Sequence, residues 1–77
     1  MSWKKGWNYL SYYQYNKLMK YLKEHYKVGE EIDYWAVEEY MNPLNAPEST
    51  LLSIDLIIKL CDLYKTNLLK RIKNYIY

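Results

Sequence analysis

The sequence predicts an all-α fold, a compact four-helix domain with a buried central third helix. Apolar residues recur at helical spacing in four segments, and three of these segments begin with a residue type that caps helices. We find no convincing segment that alternates apolar and polar residues as a strand would. The chain has 77 residues, so we expect one helical domain over residues 1–77.

The first helix is predicted to begin after Ser11. Ser11 and Gln14 have the spacing of a capping box, in which each side chain bonds the backbone N–H of the other residue. Leu10 and Tyr15 flank this cap as a hydrophobic staple would. The helical pattern continues to about residue 27, and Gly29 is a plausible stop signal.

The second helix is predicted to begin after Asp33, a good N-cap residue, with Ile32 and Val37 as its staple. It should end near Asn42, because Pro43 disfavours helical backbone in the residue before it. The stretch that follows, PLNAPEST, contains both prolines of the chain and is predicted to be a loop.

The third helix is predicted to follow Ser53 and to be the centre of the fold. Eight of the eleven residues from Ile54 to Tyr64 are apolar. The three polar residues fall within an arc of roughly 60° at about 100° per residue, so neighbouring helices must cover most of the remaining surface. These polar residues are Asp55, Lys59 and Asp62.

The fourth helix is predicted over residues 68–77, after a short turn in which Thr66 or Asn67 would be the cap. Its cationic residues should face outward. Its apolar residues should face the core, and they are Leu68, Leu69, Ile72, Tyr75 and Ile76.

The composition favours a binding protein over an enzyme. The single His25 has no second histidine or cysteine near it in sequence, so we expect a surface or helix-end histidine, no metal site and no cofactor. Cys61 lies on the apolar side of the third helix and should behave as a small hydrophobe. A chain with one cysteine forms no internal disulfide, which favours the cytoplasm. Its short apolar runs predict no membrane span.

Charge and aromatic residues are unevenly distributed. Residues 1–27 hold six Lys and one Glu, whereas residues 28–62 hold eight acids and one Lys. The acidic cluster is either a solvated surface or a binding surface for a basic partner, and its candidate binding residues are Glu30, Glu31, Glu38 and Glu39. The N-terminal segment contains lysines among Trp and Tyr residues. We expect some of these aromatic side chains to lie in the core and others to form an exposed contact patch. The candidate contacts there are Trp3, Trp7, Tyr12 and Tyr13.

One segment, LSIDLIIKLCDLYKTNLLKRI (residues 52–72), resembles the last part of lambda-repressor-like helix-turn-helix domains of the Xre type. In that family, the core positions of one helix hold Leu, Ile, either Cys or Ala, and either Tyr or Phe. This helix leads through a short turn to a closing helix. The residues that carry the resemblance are Leu56, Ile57, Leu60, Cys61, Leu63, Tyr64 and Thr66. Residues 36–42, AVEEYMN, loosely resemble the end of the recognition helix.

Two functional hypotheses therefore stay open. The resemblance implies a small helix-turn-helix transcriptional regulator that binds DNA. Its candidate phosphate contacts are Lys17, Lys20, Lys23, Lys27, Lys70, Arg71 and Lys73. The alternative is a phage- or plasmid-type regulator or inhibitor that binds a host protein through the acidic segment or the Tyr/Trp patch. Both hypotheses leave the oligomeric state open, a homodimer included.

Overall fold

The structure is a computed structural model that describes residues 9–76, apart from the side chain of Ser49. The predicted all-α fold is confirmed. Four α-helices run over Tyr12–His25 (α1), Tyr34–Met41 (α2), Ile54–Lys65 (α3) and Leu69–Ile72 (α4). Two short 3-10 turns, Glu48–Thr50 and Lys73–Tyr75, precede α3 and follow α4. Within these residues no helix is long and apolar enough to cross a membrane.

The three predicted helix starts are confirmed by their capping bonds. The backbone N–H of Gln14 donates to Ser11 Oγ over 3.1 Å, and Ser11 N–H donates to Gln14 Oε1 over 2.8 Å, which completes the capping box. Asp33 and Ser53 each accept backbone N–H groups from the first turns of α2 and α3. These bonds satisfy donors that have no partner inside the helix.

The core is centred on α3, as the sequence predicts. This helix contributes the largest set of buried side chains in the described part of the chain, and these are Leu56, Ile57, Leu60, Cys61 and Tyr64. One apolar residue of α3, Ile58, is 38% exposed. It lies only about 40° from Asp62 around the helix axis, on the side that faces water.

The first helix ends at His25, four residues before the glycine that we expected to stop it. Tyr26 has extended backbone, and its carbonyl oxygen accepts a 2.8 Å hydrogen bond from the Tyr64 hydroxyl. A contact with α3 therefore holds the end of α1. Gly29 lies in the following turn with φ 94°, a left-handed conformation that glycine adopts without strain.

The fourth helix is shorter than predicted and has a different start. Leu68 is its N-cap and makes no capping bond through its side chain, while Asn67 takes a left-handed φ of 63°. Leu68 is 41% exposed, contrary to the inward position that we expected for it. The helix ends at Ile72, because the chain then tightens into a 3-10 turn and meets the start of α1.

The contact between the C-terminal turn and the start of α1 joins the two ends of the described chain. Leu10 and Ile76 form a parallel bridge, in which the Leu10 N–H donates to the Tyr75 carbonyl oxygen over 2.7 Å. Leu10 is fully buried. The first turn of α1 and the C-terminal turn therefore lie at the same end of the fold.

Candidate functional site

The outward side of α1 combines exposed tyrosines with lysines. The opposite side of this helix is buried and carries Leu18, Met19 and Leu22. Tyr12 and Tyr13 are 63% and 75% exposed. The lysines follow at helical spacing from Tyr13, and the helix carries one acid, Glu24. We call this surface the basic face, and its residues are Tyr12, Tyr13, Lys17, Lys20 and Lys23.

A second basic group lies on α4 and the turn after it. We call Lys70, Arg71 and Lys73 the C-terminal basic group, and all three are exposed. The Leu10–Ile76 bridge brings this group to the end of α1 that carries Tyr12 and Tyr13. Lys20 lies eight residues beyond Tyr12, about 12 Å along the helix axis, so it lies farther than the tyrosines from the end of α1 that adjoins the C-terminal turn.

The candidate cations have no carboxylate partners in the described part of the chain. Among residues 9–76, the ion pair present joins Lys65 to Glu31 on the surface. This contact raises the pKa of Lys65 through a hydrogen bond and charge attraction. Lys27, predicted to belong with the α1 lysines, lies in the turn beyond the end of that helix. Six of the seven predicted cations are exposed and available to anions of a partner, whereas Lys17 is half-buried.

A stack of aromatic rings joins α1 to α2. The Tyr21 ring lies 4.2 Å from the His25 ring and 4.4 Å from the Tyr40 ring, both nearly parallel to it. Lys17 Nζ lies 5.0 Å from the centre of the Tyr40 ring, a cation–π contact. Burial is the largest of the causes that raise the pKa of Tyr21, so its hydroxyl stays neutral. The stack places the outward sides of α1 and α2 next to each other.

The outward side of α2 is acidic and carries an exposed tryptophan. Val37 and Met41 face the core, whereas Trp35 is 72% exposed and Glu39 is exposed. Glu38 is half-buried, and its carboxylate accepts a 3.3 Å hydrogen bond from Asn42 Nδ2. Residues 28–58 contain no Lys, Arg or His. We call Trp35, Glu38 and Glu39 the acidic face.

The four predicted acidic contacts have different surroundings. Glu38 and Glu39 lie on α2, while Glu30 and Glu31 precede it in the loop. Glu30 Oε1 accepts a 2.7 Å bond from the Lys27 N–H, and Glu31 pairs with Lys65. Only Glu39 is both exposed and without a hydrogen-bonded partner among the described residues. The four acids therefore do not form one equivalent cluster.

Sequence reasoning missed Trp35 as a candidate contact. A signal was present, because Trp35 precedes the core residue Val37 by two positions. Two residues correspond to about 200° around a helix, so both side chains cannot face the core. Of the predicted aromatic contacts, Tyr12 and Tyr13 are exposed, and Trp3 and Trp7 lie outside the described residues.

The cysteine of the described residues is buried, and their histidine is exposed. Cys61 is fully buried, and burial raises its thiol pKa to about 12, so it stays protonated and unreactive at neutral pH. Within residues 9–76, no cluster of His, Cys, Asp and Glu side chains is arranged to hold a metal ion. His25 lies exposed at the end of α1, where its Nδ1–H donates to the Tyr21 carbonyl oxygen over 2.9 Å.

Comparisons with known proteins identify no relatives of this chain. No protein-family model matches it, and neither a curated protein nor a solved structure is significantly similar to it.

Proposed function

We propose that this protein is a small, non-enzymatic regulator that binds double-stranded DNA through the basic face and the C-terminal basic group. The observation that carries the proposal is the set of cations on these surfaces that have no carboxylate partner among residues 9–76. Lysine and arginine contacts to phosphates supply most non-specific DNA affinity. The exposed rings of Tyr12 and Tyr13, at the end of the basic face that adjoins the C-terminal turn, add surface for contact with the sugar–phosphate backbone.

The arrangement of α3 and α4 supports a regulator of helix-turn-helix type. The segment that resembles Xre-type domains folds as a helix, a three-residue connection (66–68) and a second helix. The connection between α1 and α2 spans residues 26–33, which is longer than the turn of three or four residues in that motif. We therefore assign the DNA contacts to α1 and α4, and not to α2, where Glu38 and Glu39 would repel phosphates.

Fluorescence anisotropy with duplex DNA at two salt concentrations tests the proposal. We expect Lys20→Ala and Arg71→Ala to weaken binding and to lower the salt dependence by about one unit of log–log slope for each lost phosphate contact. Glu39→Gln should strengthen binding. Lys65→Ala is the matched control, because it removes a cation outside the two basic groups. Absence of binding to any duplex at low salt contradicts the proposal.

The exposed Trp35 favours a second candidate function, in which the protein binds and regulates a basic host protein through the acidic face. Tryptophan is enriched among the residues that dominate binding energy at protein interfaces. For this function, Trp35→Ala and the pair Glu38→Gln with Glu39→Gln should abolish capture of the partner from a host lysate, and nuclease treatment should not. Lys20→Ala and Arg71→Ala should then have little effect on capture.

A further inference from the structure

The basic face and the acidic face each expose large aromatic rings, the first beside lysines and the second beside glutamates. Tyr12, Tyr13 and Trp35 are each more than 60% exposed. Rings of this size bury a large area on contact, and aromatic residues are enriched at the centres of protein interfaces. Both faces therefore have the composition of contact surfaces.

The charges of the two faces are complementary. The outward side of α1 presents Lys17, Lys20 and Lys23 against one acid, Glu24, whereas α2 presents Glu38 and Glu39 within a segment that has no base over residues 28–58. The eight residues of α2 extend about 12 Å, the same length as the eight residues of α1 from Tyr13 to Lys20, so the acidic face can lie along this part of α1.

The two faces adjoin on one molecule and therefore cannot cover each other. The stack of Tyr21 on Tyr40 holds α1 and α2 side by side, with both outward sides facing solvent. A two-fold rotation brings the α1 of one copy over the α2 of another and forms the same contact a second time. Such an isologous contact is self-complementary and closes at two subunits.

We propose that this protein forms a two-fold symmetric homodimer in which the basic face of each copy packs on the acidic face of the other. Opposite charges would orient the two copies, and the contact of Trp35 with the tyrosines of the partner's α1 would bury the exposed rings. The dimer itself does not depend on the proposed function.

The dimer has a regulatory consequence, and this consequence rests on the proposed function. In the monomer, Lys17 and Lys20 would contact DNA. In the dimer, they would contact carboxylates of the other copy. Dimerisation and DNA binding through α1 therefore exclude each other. The dimer would be a form that does not bind DNA through α1.

Sedimentation equilibrium of the full chain without DNA tests the dimer and leaves the DNA proposal untouched. We expect a monomer–dimer equilibrium whose association weakens as salt rises. Lys20→Glu and Glu39→Lys should each be monomeric alone. An equimolar mixture of the two should restore dimers, because one copy then carries two acidic faces and the other two basic faces.

Two further variants complete the experiment. The double variant Lys20→Glu/Glu39→Lys should dimerise by itself, because the exchange restores complementary charges in one chain. Glu48→Lys changes an exposed acid outside both faces and should dimerise as the unaltered chain does. A chain that stays monomeric at all concentrations, or a mixture of single variants that stays monomeric, overturns the proposal. Single variants that dimerise like the unaltered chain overturn it as well.

Discussion

The side-chain amide of Asn42 pairs with the backbone of Leu52 as another peptide group would. Asn42 Nδ2 donates to the Leu52 carbonyl oxygen and Asn42 Oδ1 accepts from the Leu52 N–H, both over 2.8 Å. Asn42 is the residue at which α2 ends, and Leu52 directly precedes Ser53, the N-cap of α3. One side chain therefore fixes the end of α2 against the start of α3 across the loop of residues 43–51.

Replacement of Asn42 should destabilise the fold. Leu52 is buried, so Asn42→Ala leaves a backbone donor and acceptor without partners, at a cost of about 2–3 kcal/mol. Asn42→Asp should cost at least as much, because a carboxylate would face the Leu52 carbonyl oxygen. Urea denaturation followed by circular dichroism measures the loss. Asn45→Ala, an exposed change in the same loop, should stay within about 0.5 kcal/mol of the unaltered chain.

Two apolar residues of α3 should differ in their contribution to stability. Leu60 is fully buried, so Leu60→Ala should cost about 2–5 kcal/mol through lost burial and the cavity left behind. Ile58 is 38% exposed, and Ile58→Ala should cost less than about 1.5 kcal/mol. Leu and Ile differ in helix propensity by only a few tenths of a kcal/mol, which is too little to explain the difference. Equal losses in thermal or urea unfolding would contradict the position of α3 in the core.

The hydroxyl of Tyr64 should stabilise the end of α1. Tyr64→Phe removes the donor that bonds the Tyr26 carbonyl oxygen and should lower the free energy of unfolding by about 1–2 kcal/mol. Tyr12→Phe removes an exposed hydroxyl and should leave stability nearly unchanged. The urea concentrations at which the two variants are half unfolded measure this difference in stability. If Tyr64→Phe is as stable as Tyr12→Phe, the bond between α3 and α1 contributes nothing.

Burial of Cys61 should make the fold less stable in alkaline solution. The thiol has a pKa of about 12 in the folded chain against an ordinary value of 9.0. Between these values the unfolded chain has lost a proton that the folded chain retains, so stability falls as pH rises through this window. Between pH 8 and pH 10, ionisation of the Cys61 thiol in the unfolded chain should lower the free energy of unfolding by about 1.4 kcal/mol. This is the free energy that corresponds to one pKa unit. Unfolding titrations of the unaltered chain and of Cys61→Ala should differ by this amount in their pH dependence.

The same burial should protect the thiol from chemical modification. A thiol reagent at neutral pH should react with Cys61 only when the chain opens, and rapidly once urea has unfolded it. Fast modification of the native chain would show that α3 is not covered as described. The Cys61→Ala variant contains no thiol and therefore gives the background signal of the reagent.

The starts of α1, α2 and α3 were predictable because each depends on residues that are neighbours in sequence. A side chain such as Ser11 bonds a backbone N–H three residues later, so the pattern that encodes the bond is visible in a short stretch. The end of α2 was predictable for a similar reason, because Pro43 restricts the residue before it. The identity of the core helix followed from the narrow polar arc of α3.

The candidate surfaces were predictable only in part. Exposed lysines could be listed from their residue type, but the sequence did not show that the C-terminal basic group lies at the Tyr12 end of α1. That placement depends on the bridge between Leu10 and Ile76, which are 66 positions apart. Trp35 was missed because the aromatic residues considered as contacts were those of the N-terminal segment, and its position relative to Val37 was not used.

By itself the sequence determined where three helices begin, which helix forms the core and which segments carry each charge. These properties depend on capping bonds and apolar periodicity within one or two helical turns. Only the tertiary structure decided where α1 ends, how short α4 is and which charged faces adjoin. These depend on single bonds between distant segments, such as Tyr64 to Tyr26 and Leu10 to Tyr75, whose geometry no local pattern encodes.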